Sequence, residues 1–239
     1  MKIIAWNLGH QTKERPIKNT FINAVSNINP DVLVLNEYVH GESRLNMLKE
    51  LAGLGLKHCQ ISTRLNENNQ ILIASKRPLV KGKLTGPESK YQGGESNFLH
   101  ISFEETDIEI VGIRAPAYSS TDLKTYWNNL IKIIEDTKKR KIIFIGDFNT
   151  DPDSTSRPTA KYLQKLRLEG WKIPTPLGDW SYISPKGIGT RIDHVIASPS
   201  IAISSAEYIT AVDGIDCASC NQLTRISDHA ALLVNLMLT

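Results

Sequence analysis

Cysteine is scarce in this 239-residue chain, with Cys59, Cys217 and Cys220 the whole complement. Three thiols cannot build a disulfide framework, which fits a reducing compartment. Cys217-Ala218-Ser219-Cys220 is a lone CxxC without a second pair or paired histidines, so it reads as an ordinary loop and not as a zinc site. Long apolar runs are missing as well. Nothing approaches the ~20 consecutive apolar residues of a membrane helix, and the longest runs, such as Ile142 to Ile145, have strand length. Met1-Lys2-Ile3-Ile4-Ala5-Trp6-Asn7 goes straight into a strand and lacks the layout of a signal peptide. A soluble, cytoplasmic protein that does not engage a membrane is therefore expected. Neither charge sign dominates: 28 Lys and Arg against 25 Asp and Glu leave a net +3, which permits a polyanionic substrate without demanding one. No repeat, low-complexity tract or linker divides the chain, and nothing points to an obligate protein partner. With 41% apolar residues to fill a core, one domain over residues 1–239 is expected.

The apolar residues that are present fall into strand and helix patterns. Lys2 to Trp6 forms a short strand, after which Ile17, Phe21, Val25 and Ile28 recur at helical spacing until Asn29-Pro30 stops the helix. Val32-Leu33-Val34-Leu35 reads as a strand buried on both faces that delivers Asn36 and Glu37 at its C-terminal end. Leu45, Leu48 and Leu51 mark a second helix, with Gly53 and Gly55 at its exit. Strands are expected at Ile71 to Ala74, Phe98 to Phe103 and Ile108 to Ile113, the last running into Arg114-Ala115-Pro116. A helix beginning near Ser120 or Thr121 turns Leu123, Trp127, Leu130, Ile131 and Ile134 inward, and Lys138-Lys139-Arg140 reads as its solvated C-terminal end. Lys141 to Ile145 is a buried strand ending in Gly146-Asp147-Phe148-Asn149. A helix around Ala160 to Leu168 and a Pro- and Gly-rich stretch from Gly170 to Gly189 follow. Strands at Arg191 to Ala197, Ala202 to Thr210 and Ala230 to Leu238 close the chain. Strands outnumber helices and alternate with them irregularly, the pattern of two packed mixed sheets with helices outside.

Polar residues with catalytic capability sit at strand ends far apart in sequence: Asn7, Glu37, Arg114, Asp147 with Asn149, Asp193, and Asp228 with His229. The first four groups end strands and the last two begin them. Antiparallel neighbours place the end of one strand beside the start of the next, so all six groups can meet on one rim. Their types suit phosphodiester hydrolysis, which needs a cation on the phosphate oxygens, a nucleophilic water and stabilisation of negative charge. Hard carboxylate and amide oxygens bind Mg²⁺ or Mn²⁺, with Glu37 the leading ligand and Asn7 and Asp228 its helpers. Asp147 would orient and deprotonate water, His229 would donate to a phosphate oxygen, and Asp193 would hold the histidine ring. Singly, Asn and Glu at strand ends usually cap turns or face water, and Ser227-Asp228-His229 could be a simple turn. Order and combination give the set its weight.

Ile4-Ala5-Trp6-Asn7, Val34-Leu35-Asn36-Glu37, Ile145-Gly146-Asp147-Phe148-Asn149, Thr190-Arg191-Ile192-Asp193-His194 and Ile226-Ser227-Asp228-His229 resemble the successive blocks of the endonuclease/exonuclease/phosphatase superfamily. The look is closest to its exonuclease III-like and AP endonuclease members, and the resemblance covers essentially the whole chain. It implies a four-layer α/β sandwich, DNase I-like, with two packed mixed β-sheets flanked by helices and the site between the sheets. It also implies that Glu37 and Asn7 bind metal, with Asp228 in or beside the metal site. Asp147 activates water, Asn149 supports nucleophile and phosphate, Asp193 partners His229, and His229 contacts phosphate. Two positions depart from the AP-endonuclease pattern. Gly9 stands where an acidic residue is usual, which removes a second metal contact. Arg114 stands where tyrosine or histidine is usual; it would bind phosphate charge but is a poor proton donor.

The leading expectation is a Mg²⁺- or Mn²⁺-dependent nuclease on DNA, of the exonuclease or abasic-site endonuclease kind. The alternatives are a phosphatase acting on a small molecule or lipid head group, and a binding module with an eroded site. His194 should point away from the site, because it follows Asp193 on a strand. His10 lies near the expected metal in a loop, and His58 and His100 have no recognisable partner in the sequence; a structural or solvent role is expected for each. Trp180-Ser181-Tyr182 precedes Arg191 in a loop able to approach substrate, and Lys81, Lys83 and Lys90 could meet a phosphate backbone.

Overall fold

The computed structural model describes residues 1–9, 17–41, 44–64, 69–91, 93–117 and 121–237. His10, Ser120 and Leu238, each named above, lie outside them. In chain order the elements are β1 (Lys2–Asn7), α1 (Asn19–Ile28), β2 (Val32–Tyr38), α2 (Leu45–Gly53), β3 (His58–Ile61), β4 (Gln70–Ser75), β5 (Leu79–Lys81), β6 (Phe98–Phe103) and β7 (Ile108–Arg114). They continue with α3 (Leu123–Asp136), β8 (Lys141–Asp147), α4 (Ala160–Leu168), β9 (Tyr182–Ile183), β10 (Gly189–Thr190), β11 (Asp193–Ala197), β12 (Ala202–Ile209), β13 (Ala211–Val212), β14 (Ile215–Asp216) and β15 (Ala231–Met237).

Two mixed sheets carry the fold, a six-stranded one in the order β12-β15-β1-β2-β4-β3 and a five-stranded one in the order β11-β8-β7-β6-β5. The period-2 alternation of strands explains how four layers form. Ile3, Ala5, Val32 and Val34 of the first sheet meet Ile110, Ile143, Ile145 and Val195 of the second in one central core. The intervening residues Ile4, Trp6, Leu33 and Leu35 face outward onto Phe21, Val25 and Ile28 of α1 and Met47 and Leu51 of α2. On the far side, Val111, Ile113, Ile142 and Phe144 pack under Trp127, Leu130 and Ile134 of α3 and Leu163 and Leu166 of α4. Among the described residues no helix is long and apolar enough to cross a membrane.

Several expectations need adjustment. Leu45 does not face inward: it is 52% exposed at the start of α2, whose buried line is the i, i+4 pair Met47 and Leu51. Arg140 is not simply a solvated helix end, because α3 stops at Asp136 and Arg140 donates from Nε to Glu109 Oε1 at 2.7 Å. His100 has a partner after all, as its Nε2 lies 2.6 Å from Glu109 Oε2. Strands β3 and β5 escape the sequence patterns because each lies at a sheet edge without the apolar alternation that marks a half-buried strand.

Candidate active site

The central core ends in polar residues on one rim. Along β1 the inward series Ile3, Ala5 finishes in Asn7; along β7 Ile108, Ile110 and Gly112 lead to Arg114; along β8 Ile143, Ile145 lead to Asp147. Strand β11 runs the other way and starts at Asp193 before Val195 and Ala197. Three side-chain pairs then join the sheets on this rim. Glu37 Oε1 of β2 accepts from Arg114 Nε of β7 at 2.7 Å. Asn7 Nδ2 of β1 donates to Asp147 Oδ2 of β8 at 3.0 Å. His229, just before β15, puts Nδ1 2.8 Å from Asp193 Oδ2 of β11. All eight residues singled out in the sequence thus gather at this rim. Glu37, Arg114, Asp147, Asn149, Asp228 and His229 line a cavity of about 450 Å³, while Asn7 and Asp193 are buried behind it.

Local backbone devices set these side chains. Simple alternation would send Glu37 outward, since its neighbour Asn36 points inward and donates to Ile113 O at 2.6 Å. A register shift between Leu35 and Tyr38 and a left-handed φ of 55° at Glu37 bring its carboxylate onto the rim. Gly146 has φ +139° and its Cα faces Ile113 O so closely that an added Cβ would lie 2.2 Å from that oxygen, which requires glycine before Asp147. Asn149 takes φ 50°, so that its N–H returns to Asp147 Oδ1 at 2.8 Å while its side-chain amide donates to Ala115 O at 2.8 Å and Asp147 Oδ2 at 3.3 Å. At Gly9, φ is +57° and an added Cβ would fall 2.6 Å from Asp228 Oδ1. The space an acidic side chain at position 9 would need is therefore occupied by Asp228. Ser227 Oγ ties that segment to β1 by donating to Asn7 O at 2.6 Å.

The model of the Endonuclease/Exonuclease/phosphatase family matches residues 4–229, from β1 to His229. The chain belongs to the endonuclease/exonuclease/phosphatase family. A search of curated proteins gives no match. Among solved structures, an endonuclease/exonuclease/phosphatase from Beutenbergia cavernae aligns over 100% of this chain and 71% of its own, at 17% identity and TM-score 0.72. An AP endonuclease from Archaeoglobus fulgidus aligns over 100% of both chains at 16% identity and TM-score 0.72. The 3' phosphatase NExo from Neisseria, bound to product DNA hairpin, aligns over 100% of both chains at 17% identity and TM-score 0.67. At these identities the likeness is one of fold, the expected four-layer α/β sandwich of two mixed sheets.

In this family member the rim is electrostatically uneven. Burial raises the Asp147 carboxyl, and the negative charge of Asp193 raises it further; His229, Arg114 and the Asn149 N–H oppose both, and it stands at about 7. Burial alone would lower His229, but the charge and hydrogen bond of Asp193 outweigh it and hold the imidazole up to about 9. At neutral pH His229 is therefore an imidazolium that donates from Nδ1 to Asp193. Arg114 is half-buried, which works to lower it, yet the charges of Glu37 and Asp147 hold its guanidinium above its ordinary value. For a metal ion, Glu37, Asp228 and Asn7 offer only oxygen, a hard set suited to Mg²⁺ or Mn²⁺. Among the described residues no group of three His, Cys, Asp or Glu is placed to hold an ion by itself. Mg²⁺ is commonly held by one or two carboxylates and completes its shell with water and substrate phosphate.

Several residues take parts at the site that the sequence does not assign to them. The β9–β10 hairpin forms one wall: Tyr182 lies with its ring centroid 5.0 Å from that of His229, and Ser184, Ile188 and Thr190 line the cavity. Ser181 Oγ accepts from Ile192 N and Asp193 N at 2.9 and 3.0 Å, holding the strand start that carries Asp193. The sequence marks the Trp180-Ser181-Tyr182 loop as an approach to substrate but not as a buttress of Asp193. Tyr91 lies beside Arg114, where burial raises its phenol and the guanidinium works against that rise. Arg157 lines the cavity from the loop after β8 and donates from Nη1 to Asn149 O at 3.0 Å. His194, as expected, faces away from the cavity, with Nε2 3.0 Å from Thr150 O. Lys81 and Lys83 line a separate groove with His100 and Glu109.

Proposed function

We propose that this protein is a divalent-metal-dependent phosphodiesterase, and specifically a nuclease that hydrolyses DNA. The observation that carries the reading is Asp147: a buried carboxylate held by Asn7 and Asn149, standing at about 7, with His229 and Arg114 on either side. A general base works best with its pKa near the operating pH. Asp147 takes a proton from a water as that water's oxygen bonds to phosphorus. The ester P–O bond on the opposite side breaks, and the leaving oxygen acquires its proton from solvent, since a guanidinium does not give one up. The His229 imidazolium donates a hydrogen bond to a phosphate oxygen, with Asp193 fixing its ring. Arg114 adds permanent positive charge, and Asn149 holds Asp147 in orientation. Glu37, Asp228 and Asn7 would hold Mg²⁺ or Mn²⁺, which polarises a phosphoryl oxygen when bound.

DNA is the substrate class of this proposal because an AP endonuclease and a DNA-bound 3' phosphatase share the fold over their full lengths. A cytoplasmic enzyme is part of the same reading. The test is cleavage of labelled single-stranded, duplex and abasic-site DNA with Mg²⁺, Mn²⁺ or EDTA, with Asp147→Asn guarding against a contaminating nuclease. Metal-dependent cutting that disappears in the variant is the expected result. No cutting under any condition would sink the DNA reading in favour of a small-molecule or lipid head-group phosphoesterase.

A further inference from the structure

We infer that Arg157 is a specificity residue that binds a second phosphate, next to the one being hydrolysed, so that the cavity selects a strand with successive phosphates over a single phosphodiester. This rests on the nuclease reading above. Arg157 belongs to none of the blocks that carry the family resemblance, yet it lines the same cavity as Asp147 and His229.

Its position is built. The loop from Thr150 to Thr159 is closed by a hydrogen bond from Thr159 Oγ1 to Thr150 Oγ1 at 2.7 Å. It is tied to α4 by Gln164 Nε2 donating to Pro152 O at 2.8 Å and by Arg167 Nη1 to Asp153 Oδ1 at 2.6 Å. Within the loop, Ser154 Oγ accepts from Arg157 N at 3.2 Å. The guanidinium is then set by its contact with Asn149 O, two residues beyond Asp147. A guanidinium on this rim brings a permanent charge in a planar fork suited to phosphate.

Two sets of cations reach the cavity. Arg114 and His229 are the cations whose charges act on Asp147. Arg157 enters from the other side of Asp147 in the chain, through its contact with Asn149 O. On the β9–β10 hairpin Ile188 is 63% exposed and Tyr182 presents its ring, so the same cavity combines cations with apolar surface. Two separate cationic positions and an apolar surface in one cavity suit two phosphates and a nucleoside. A small diester with one phosphate would fill only one of the two positions.

The experiment compares a labelled single-stranded oligonucleotide with bis(p-nitrophenyl) phosphate, a diester with one phosphate, on wild type, Arg157→Ala and Arg157→Lys with Mn²⁺. For Arg157→Ala, the ratio of kcat/KM on the oligonucleotide to that on the small diester is expected to fall ~10-fold or more, the scale of one lost phosphate contact. The slope of log kcat/KM against log salt on the oligonucleotide should flatten by ~0.7, one contact's worth on a single strand. Arg157→Lys should restore the slope and only part of the rate, since ammonium keeps the charge but not the fork. Equal losses on both substrates, or an unchanged salt slope in Arg157→Ala, would overturn the assignment while leaving the nuclease reading intact. A wild type that hydrolyses the small diester and not the oligonucleotide would overturn both.

Discussion

At the two ends of the cleft a carboxylate meets a cation across the sheets, but the cations differ in kind. Where β2 faces β7, Glu37 holds Arg114 at 2.7 Å, and the guanidinium keeps its charge at every pH the fold survives. Where β15 faces β11, Asp193 holds His229 at 2.8 Å, and the imidazole loses its charge near pH 9. Asp147 sits between them and responds to both. Burial and Asp193 raise it more than His229 and Arg114 lower it. A base that titrates near neutrality therefore arises from the imbalance between the ends. In the proposed reaction the two ends divide the work, with the arginine end fixing charge for phosphate and metal and the histidine end setting the pH window of the chemistry.

Removing the middle tests what both ends serve. Asp147→Asn should cut turnover ~10²–10⁴-fold, the usual contribution of a general base, while thermal unfolding moves little because the variant no longer buries a carboxyl at this site. Single-turnover cleavage and a melting curve check this, and near-normal turnover would remove Asp147 from its role. The histidine end comes next. Asp147 is raised above the usual carboxylate range, so its basic form appears as pH climbs through about 7. His229 is held up, so its proton is present below about 9 and lost above it. The kcat/KM profile should therefore rise to a plateau above about 7 and fall beyond about 9. Asp193→Asn should move the upper limb toward neutrality and lower kcat ~100-fold, while an unmoved limb would mean that another group sets it.

The arginine end should answer to metal and not to pH. Glu37→Gln is expected to raise the Mn²⁺ concentration for half-maximal activity ~10–100-fold, with both pH limbs in place. A metal titration matching wild type would show that Glu37 is not the principal ligand.

How much of this cleft could be read from the chain follows from the same geometry. Ile3-Ala5-Asn7, Ile110-Gly112-Arg114 and Ile143-Ile145-Asp147 keep one parity, so the inward apolar face and its polar end are visible as alternation, and His194 is correctly sent the other way. Glu37 breaks that rule. It reaches the rim through a bulge and a left-handed backbone, which apolar periodicity does not encode; its place at a strand end among other polar strand ends, and then the resemblance to family blocks, singled it out. Arg157, and the buttressing part of Ser181, escape the sequence for a different reason: each acts from an irregular segment whose path is fixed by tertiary hydrogen bonds. The Leu45, Leu48 and Leu51 spacing that marks α2 shows the same limit, because helical spacing gives a periodicity and leaves the choice of buried line, here Met47 and Leu51, to packing.

Swapping the cation sharpens the comparison most finely and is expected to have the smallest effect. Arg114→Lys keeps a positive charge opposite Glu37 but loses the fork, and should raise KM on DNA roughly 3–10-fold with kcat nearly unchanged. Arg114→His would make the arginine end titratable like its counterpart. An imidazole there is protonated only below roughly its ordinary value of ~6.5, shifted upward by Glu37 as Asp193 shifts His229. KM should then be near that of the lysine variant in acid and climb as pH rises, while the upper limb of kcat stays where His229 puts it and the lower limb moves up, because the Arg114 charge no longer lowers Asp147. If kcat in place of KM follows the new titration, Arg114 takes part in bond breaking, and the division of labour between the two ends fails.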